Sequence, residues 1–443
     1  MLYGWINKEG DRETGDDAWR KDAGEYYCGD ENDGAQRVGQ WEYIDIVDNN
    51  YEDTLQSYSS PNSFDDEDQV RWFYFKTNGK KMTSEKGKTI NGVKYGFDEH
   101  GRMTAEWVNW EKTPTTETVK STADSAATTG LATASQGNAT YTSGYRYYGD
   151  PESGARVTKG WFQVVPDSYL SSDDYDDDSD NWYYSDKDGK LVASEIKTIN
   201  SKKYAFDSYG VMQSGLKAIQ FVGDSTTDIA DIEGDGDIKT VGASGKVDRP
   251  LQFDTEDEFK DSMNELYNDG WRLYYFGSGD DGAMKTGKQN ITIDGDSFTF
   301  LFNKSGSTKG QGKFGYDDKK YYLGGMLMKA DKDDKYSVVK TVTKDGDYTS
   351  IELLTTEKFL HDVDASNIAS QDEYKDDYDE YYDVKTAAAD EEVTADGEVT
   401  KTTYRLVNTS GSVQKSKNKA KDGDDRCYNV NNDGAITAVF VED

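Results

Sequence analysis

Asn181-Trp182-Tyr183-Tyr184-Ser185-Asp186-Lys187-Asp188-Gly189-Lys190-Leu191-Val192, with Lys202-Lys203-Tyr204-Ala205-Phe206-Asp207-Ser208-Tyr209-Gly210-Val211-Met212 shortly after it, is the stretch whose reading decides the fold. It reads as two short β-hairpins in tandem. Trp182 to Tyr184 suits a strand, because aromatic rings fit a pleated, half-buried surface. Asp186 to Gly189 reads as a turn, where acidic side chains bond nearby backbone and Gly takes positive φ without steric cost. Leu191 and Val192 form the return. Tyr204 and Phe206, the turn Asp207 to Gly210, then Val211 and Met212 repeat the plan.

The same plan lies upstream. Trp72-Phe73-Tyr74-Phe75, Thr77-Asn78-Gly79 and Lys80-Lys81-Met82 match the first hairpin. Lys88-Thr89-Ile90-Asn91 matches Lys197-Thr198-Ile199-Asn200, and Tyr95, Phe97, Asp98, Gly101 and Met103 match Tyr204, Phe206, Asp207, Gly210 and Met212. A further hairpin runs from Glu25-Tyr26-Tyr27-Cys28 through Asp30 to Gly34 and on to Trp41. Its counterpart runs from Tyr145 through Asp150 to Gly154 and on to Trp161, and the two Trp residues lie 120 positions apart. Self-similarity on this scale marks a repeat architecture. The larger unit is one hairpin, an acidic insert, then two hairpins.

Composition agrees. The 443 residues are 34% hydrophobic, too few for one large core, yet 13% aromatic with 32 Tyr. Burial therefore rests on aromatic rings in many small clusters. Forty-three Gly against five Pro indicates tight turns. The net charge of −35 disfavours nucleic acid, whose binding rests on cationic contacts to phosphate, and disfavours docking on anionic membranes. It favours attraction of cations. No apolar run is long enough to insert in a membrane. Met1-Leu2-Tyr3-Gly4-Trp5 opens inside what reads as a repeat, so the chain is read as part of something larger or its mature portion.

The sequence divides into unit 1 (1–112), a Thr/Ser/Ala-rich linker (113–143), unit 2 (144–216), unit 3 (217–313) and a degenerate unit 4 (314–443). Cleavage in the linker is expected to release two folded halves. Asp48 to Gln69 and Pro166 to Asp180 read as exposed acidic loops. Oxygen-rich loops make calcium an alternative ligand. Asp231 to Ile238 resembles the start of an EF-type calcium loop, but Gly242 stands where the bidentate acid belongs. Thr255-Glu256-Asp257-Glu258 is a capping-box signature, and Phe259, Met263, Leu266 and Tyr267 then share one helical face, so a short helix is expected near 255–267. An acidic, Tyr-rich insert runs from Asp372 to Asp383. Cys28 and Cys427 are not expected to pair within one molecule; a bond between them would join two chains head to tail.

The recurring phrase of aromatic, Tyr, Tyr or Phe, then Asp-x-x-Gly, x-Met and Gly-Trp resembles the choline-binding or cell-wall-binding repeats of Gram-positive surface proteins. It is similar to the glucan-binding repeats of streptococcal glucosyltransferases and to the C-terminal repeats of clostridial toxins. The resemblance touches all four units and is clearest at Trp271 to Gly287. It implies an all-β chain, mainly a tandem β-hairpin solenoid with acidic inserts and one or two short helices. It also implies ligand sites between consecutive hairpins, where aromatic rings and often a Met surround a quaternary ammonium. The positions carried over are Trp41, Trp72, Tyr74 and Met103; Trp161, Trp182, Tyr184 and Met212; and Trp271 with Tyr275. The Gly-Trp pattern is incomplete, reading Glu106-Trp107, Gly215-Leu216 and Gly287-Lys288. A sugar ring, which needs one flat face plus hydrogen bonds, is therefore ranked ahead of choline.

No catalytic constellation is legible. His100 and His361 lack a partner motif, and no phosphate loop or nucleophile elbow occurs. The expected function is a non-catalytic, extracellular, cell-surface array that binds cell-wall polymer or glycan, with no cofactor. The alternatives are a structural stalk or self-assembling fibre with homotypic contacts, and a calcium-dependent adhesin.

Overall fold

Seven of the turns that follow a strand each start on one Asx side chain. Asn7, Asp98, Asp186, Asp207, Asn408, Asp422 and Asn431 each accept hydrogen bonds from the backbone N–H two and four residues on, at 2.8–3.1 Å. The third residue after the Asx has positive φ and is Gly in six of these seven turns, with Asp425 in the other. A side chain that holds its own turn needs no other residue to close it.

The computed structural model describes residues 1–46, 70–110, 137–167, 170–233, 253, 255–385, 389–393 and 397–442. It is mainly β, built from many small hairpin sheets. Two compact units comprise Met1–Lys197 with Ala205–Gln213, and Thr198–Tyr204 with Ser214–Asp443.

The first unit is a run of two-stranded hairpins. β1 (Trp5–Ile6) pairs with β2 (Tyr26–Tyr27), and β3 (Gln40–Asp45) with β4 (Val70–Phe75). β5 (Glu85–Ile90) pairs with β6 (Val93–Phe97), β7 (Trp107–Asn109) with β8 (Tyr145–Tyr147), and β9 (Gly160–Val164) with β10 (Asn181–Ser185). β11 (Glu195–Ile199) and β12 (Lys202–Phe206) form the hairpin in which the division falls. The residue closing a second strand bridges to the residue six positions on, as at Phe75–Lys81, Phe97–Met103, Ser185–Leu191 and Phe206–Met212. Each aromatic face is buried on the next hairpin. Trp5 packs with Phe73 and Phe75; Trp41, Trp72 and Tyr74 pack with Phe97 and Met103; Trp107 packs with Phe162 and Tyr183.

The second unit opens with a three-stranded sheet of β13 (Leu216–Phe221), β14 (Ile229–Glu233) and β15 (Arg272–Tyr275). A five-stranded sheet follows, from β16 (Gly287–Ile293), β17 (Asp296–Phe302), β18 (Gly315–Asp317), β19 (Lys320–Leu323) and β20 (Met326–Met328). Longer strands make two four-stranded sheets. One contains β21 (Tyr336–Lys344), β22 (Asp347–Leu354), β24 (Ala389–Val393) and β25 (Val399–Asn408); the other contains β23 (Tyr378–Asp383), β26 (Lys417–Lys421), β27 (Cys427–Val430) and β28 (Ile436–Glu442). Val338, Leu354, Phe359, Leu406, Tyr428 and Val439 share a core there. The helix expected near 255–267 is Glu256–Asn268, with the capping box formed by Thr255 and Glu258. Its Asn264 pairs with both the N–H and the C=O of Ile351, at 3.0 Å each.

Several expectations need correction. The segment 113–143 does not separate two folded units, because its flanks, β7 and β8, are the two strands of one hairpin. Its last residues form a short helix, Ala139–Thr142, capped by Asn138. The rest of it, and the acidic insert Asp48 to Gln69, lie outside the described residues. The second acidic insert is no simple loop: Ser172–Asp176 is helical, and Leu170 and Asp167 are buried. Asp231 to Glu233 belong to β14, with 234–240 outside the described residues. Four helices occur among the described residues where one or two were expected. Cys28 is half-buried and Cys427 buried, and burial raises both thiols above the ordinary range. The buried Cys427 is closed to the bond between chains that the sequence suggested.

Two predictions follow from the first unit. A protease site introduced between 113 and 136 and then cut should leave both pieces together on native size exclusion, because β7 and β8 still pair. Separation into free halves would contradict the shared hairpin. The second concerns Lys81, which is 5% exposed and donates to the carbonyls of Trp19 and Arg20. Burial lowers its pKa to about 7, against the opposing pull of Asp98, Glu25 and Asp22. Between about pH 7 and the ordinary Lys value, the unfolded chain holds a proton that the folded chain has released. Lys81 therefore contributes a stability term that rises with pH across that window. Chemical denaturation at pH 7 and pH 9.5 should show this slope in the native chain and a flatter one in Lys81→Met. Equal slopes would mean Lys81 is not held in this way.

Candidate functional site

Three aromatic rings stand at the same places in two hairpin seams. In the first, β3 and β4 place Trp41 opposite Tyr74 and Tyr43 opposite Trp72. In the second, β9 and β10 place Trp161 opposite Tyr184 and Gln163 opposite Trp182. Period-two alternation turns all three rings of each set to one face of the hairpin. Met103 donates its backbone N–H to the Trp72 carbonyl at 2.9 Å, and Met212 does the same to Trp182 at 2.9 Å. The next hairpin thus brings a Met and a Phe beneath the rings.

The two sets match in detail. Trp41 and Trp72 have centroids 6.2 Å apart at 90°, and Trp161 and Trp182 are 6.4 Å apart at 83°. Trp41 meets Tyr74 at 5.2 Å and 67°; Trp161 meets Tyr184 at 5.1 Å and 65°. Trp41 stacks on Phe97 at 5.5 Å and 28°; Trp161 stacks on Phe206 at 5.6 Å and 27°. The first set also has Tyr95 at 4.9 Å from Trp41, and Tyr43 offset over Trp72 at 4.8 Å and 30°. Chains of side chains built from residues 109–120 positions apart reach the same arrangement.

Exposure sorts the nine Trp residues. Trp5, Trp19, Trp107 and Trp110 are buried, at 1–7%. Trp41, Trp72, Trp161, Trp182 and Trp271 are half-buried. Trp107 occupies the register position of Trp41 and Trp161, opposite Tyr147, but is enclosed by Tyr145, Phe162 and Tyr183. Its indole N–H donates to the Val165 carbonyl at 2.9 Å. Glu106 before it has φ 48°, so the missing Gly does not break the pattern. Sequence reading missed Trp107 because it looked for Gly-Trp. Its register opposite Tyr147, like that of Trp5 opposite Tyr27, is what identifies it.

The remaining positions differ. Met103 and Tyr184 are buried at 4% and 7%, so they line the floor of their seams. Met212 and Tyr74 are half-buried. Trp271 does not join a ring set: it lies ahead of β15 and packs on the core of the second unit. There, Leu216 stands opposite Tyr275 and Ala218 opposite Leu273, so Leu216 and Leu273 hold the places of the two Trp residues. Tyr275 stacks on Phe302 at 6.2 Å and 22°, and the seam is closed by aliphatic side chains.

A set of steep rings can take an alkylated cation against several π faces, at about 0.5–2 kcal/mol per ring when the cation is desolvated. One half-exposed ring face can also stack a sugar. Among the described residues, no group of three or more His, Cys, Asp or Glu is placed to hold a metal ion, and no helix is long and apolar enough to cross a membrane.

No family model and no curated protein sequence matches the chain. Solved structures that it resembles include choline binding protein F from Streptococcus pneumoniae with a peptidoglycan analogue, at 17% identity over 93% of this chain and 89% of that one, with a TM-score of 0.36. The choline-binding domain of CbpL from the same organism is 14% identical over 75% and 100% of the two chains, with a TM-score of 0.31. The modular autolysin LytC, also from Streptococcus pneumoniae, is 16% identical over 72% and 53%, with a TM-score of 0.25.

The division between buried and half-buried Trp is testable by stability. Trp107→Ala should cost about 3–5 kcal/mol, as expected for emptying a closed aromatic core. Trp182→Ala should cost about 1–2 kcal/mol, because its ring is partly in water already. Equal losses by chemical denaturation would remove the distinction.

Proposed function

We propose that this chain is a non-catalytic, extracellular binder of cell-wall polymer, and that the seams at Trp41, Trp72 and Tyr74 and at Trp161, Trp182 and Tyr184 are its ligand sites. The observation that supports this most is the repetition of one ring geometry, with half-buried Trp rings, at two places where a merely structural role would have buried them as it buried Trp107. The negative charge of the chain adds a field that draws cations toward these rings.

The rings also bear on ligand class. The sequence ranked a sugar ahead of a quaternary ammonium, on the ground that a cation needs rings on several sides and the pattern lost some. In these two seams the Trp–Trp and Trp–Tyr planes meet at 65–90°, so a group entering there meets rings on several sides. We therefore rank a quaternary ammonium carried on the polymer first. The second reading, a sugar ring, is favoured by the flatter pair of Tyr43 over Trp72, where Tyr43 is 49% exposed.

Titration of choline and, separately, of cell-wall and glucan oligosaccharides should be followed by Trp emission. Choline is expected to saturate two sites; Trp182→Ala should leave one, and Trp72→Ala with Trp182→Ala should leave none. A response to oligosaccharide alone would establish the second reading. No response to either class, with circular dichroism unchanged, would overturn both and leave the structural stalk.

A further inference from the structure

The acidic, Tyr-rich segment from Asp372 to Asp383 has no part in the seams, and in the second unit it makes a different surface. The turn after Gln371 sets Tyr374 and Tyr378 four residues apart, with Tyr378 donating its N–H to the Tyr374 carbonyl at 3.1 Å. β23 then carries Tyr381, opposite Phe440 of β28. Tyr374 lies flat on Tyr381 at 4.1 Å and 14°. Tyr378 leans against Tyr381 at 4.9 Å and 58°, and against Phe440 at 5.1 Å and 77°. Phe440 and Cys427 are buried beneath, while the three Tyr rings remain half-buried. The result is a ledge of phenol rings with a firm apolar floor.

Its rim is strongly negative. The twelve residues from Asp372 to Asp383 hold seven carboxylates and one Lys. Lys375 pairs with Asp372, Arg426 lies 3.8 Å from Glu380, and Lys385 lies 3.5 Å from Asp383. Glu373, Asp376, Asp377 and Asp379 make no ion pair among the described residues. Rings whose faces carry negative quadrupole, bordered by unpaired carboxylates, are complementary to ammonium and guanidinium groups. Glu373 and Asp383 are close enough to the ledge to help raise the Tyr381 hydroxyl above its ordinary range, after burial itself. β23 is six residues long, on the order of 20 Å, a span that suits several basic side chains in a row rather than one small amine.

We propose that the Tyr374, Tyr378 and Tyr381 ledge is a docking surface for a lysine- or arginine-bearing peptide, separate from the seams. The peptide lays its alkyl stems on the rings and its charges against Asp376, Asp377 and Asp379. This does not depend on what the seams bind.

The test is fluorescence anisotropy of a labelled tetralysine peptide with the full chain. Tyr374→Leu keeps the apolar bulk and every charge but removes the π face; it should weaken binding about fivefold. Asp376→Asn, Asp377→Asn and Asp379→Asn together should weaken it about tenfold or more. Asp176→Asn, Asp177→Asn and Asp178→Asn, which remove the same charge from an exposed segment of the first unit, should leave it unchanged. Equal weakening by both sets of Asn changes would show general attraction to a −35 chain and overturn the proposal. So would an unaffected Tyr374→Leu, or no binding by the native chain. Melting curves that match the native chain establish that each variant is folded.

Discussion

A two-stranded hairpin has an apolar face and no second layer of its own to cover it. In water such an element is marginal. The first unit depends on how that face is covered: a large ring on the first strand, directly opposite a Tyr on the second, is pressed onto the hairpin that follows. Trp5 with Tyr27, Trp41 with Tyr74, Trp107 with Tyr147 and Trp161 with Tyr184 all obey this register. Removing water from each ring stabilises two hairpins at once, so the hairpins hold only as neighbours. The Asx turns complement this, because each holds the turn after a strand without drawing on the small apolar surface available.

The same device yields two outcomes that differ in degree of enclosure. At Trp5 and Trp107 the ring is buried and serves cohesion. At Trp41 and Trp161 the second Trp of the strand pair, Trp72 or Trp182, stands beside it and the set stays half-open. On the proposed reading, binding capacity comes from incomplete burial at positions whose geometry is already fixed by folding. In the second unit, Leu216 and Leu273 replace the Trp pair, the seam closes, and longer strands build larger sheets with aliphatic cores. The ring device gives way to ordinary sheet packing where the sequence becomes richer in Val, Ile and Leu.

Much of this was legible in the sequence because short-range chemistry carries it. The Asp-x-x-Gly turns, the alternating rings of Trp72 to Phe75 and Trp182 to Tyr184, and the capping box at Thr255 act through residues within a few positions of one another. Other features were hidden for physical reasons. Pairing of Trp107 with Tyr147 spans a long insert, and low-complexity composition said nothing about the two strands it joins. Glu106 adopts a positive φ that pattern reading reserves for Gly. Whether Met103, Tyr184 or Trp271 faces a seam or a core depends on neighbours far along the chain, which strand periodicity does not identify. The half-burial of five Trp and the closure of the other four is likewise a property of tertiary packing.

The central claim is that four of the nine Trp rings are ligand faces and four are core. Labelling the chain with 5-fluorotryptophan and recording fluorine spectra during a choline titration tests it residue by residue, with assignments by single Trp→Phe changes. The account predicts that the resonances of Trp41, Trp72, Trp161 and Trp182 shift together with saturation, while those of Trp5, Trp19, Trp107 and Trp110 stay in place. Shifts confined to the buried four, or spread equally over all nine, would contradict it.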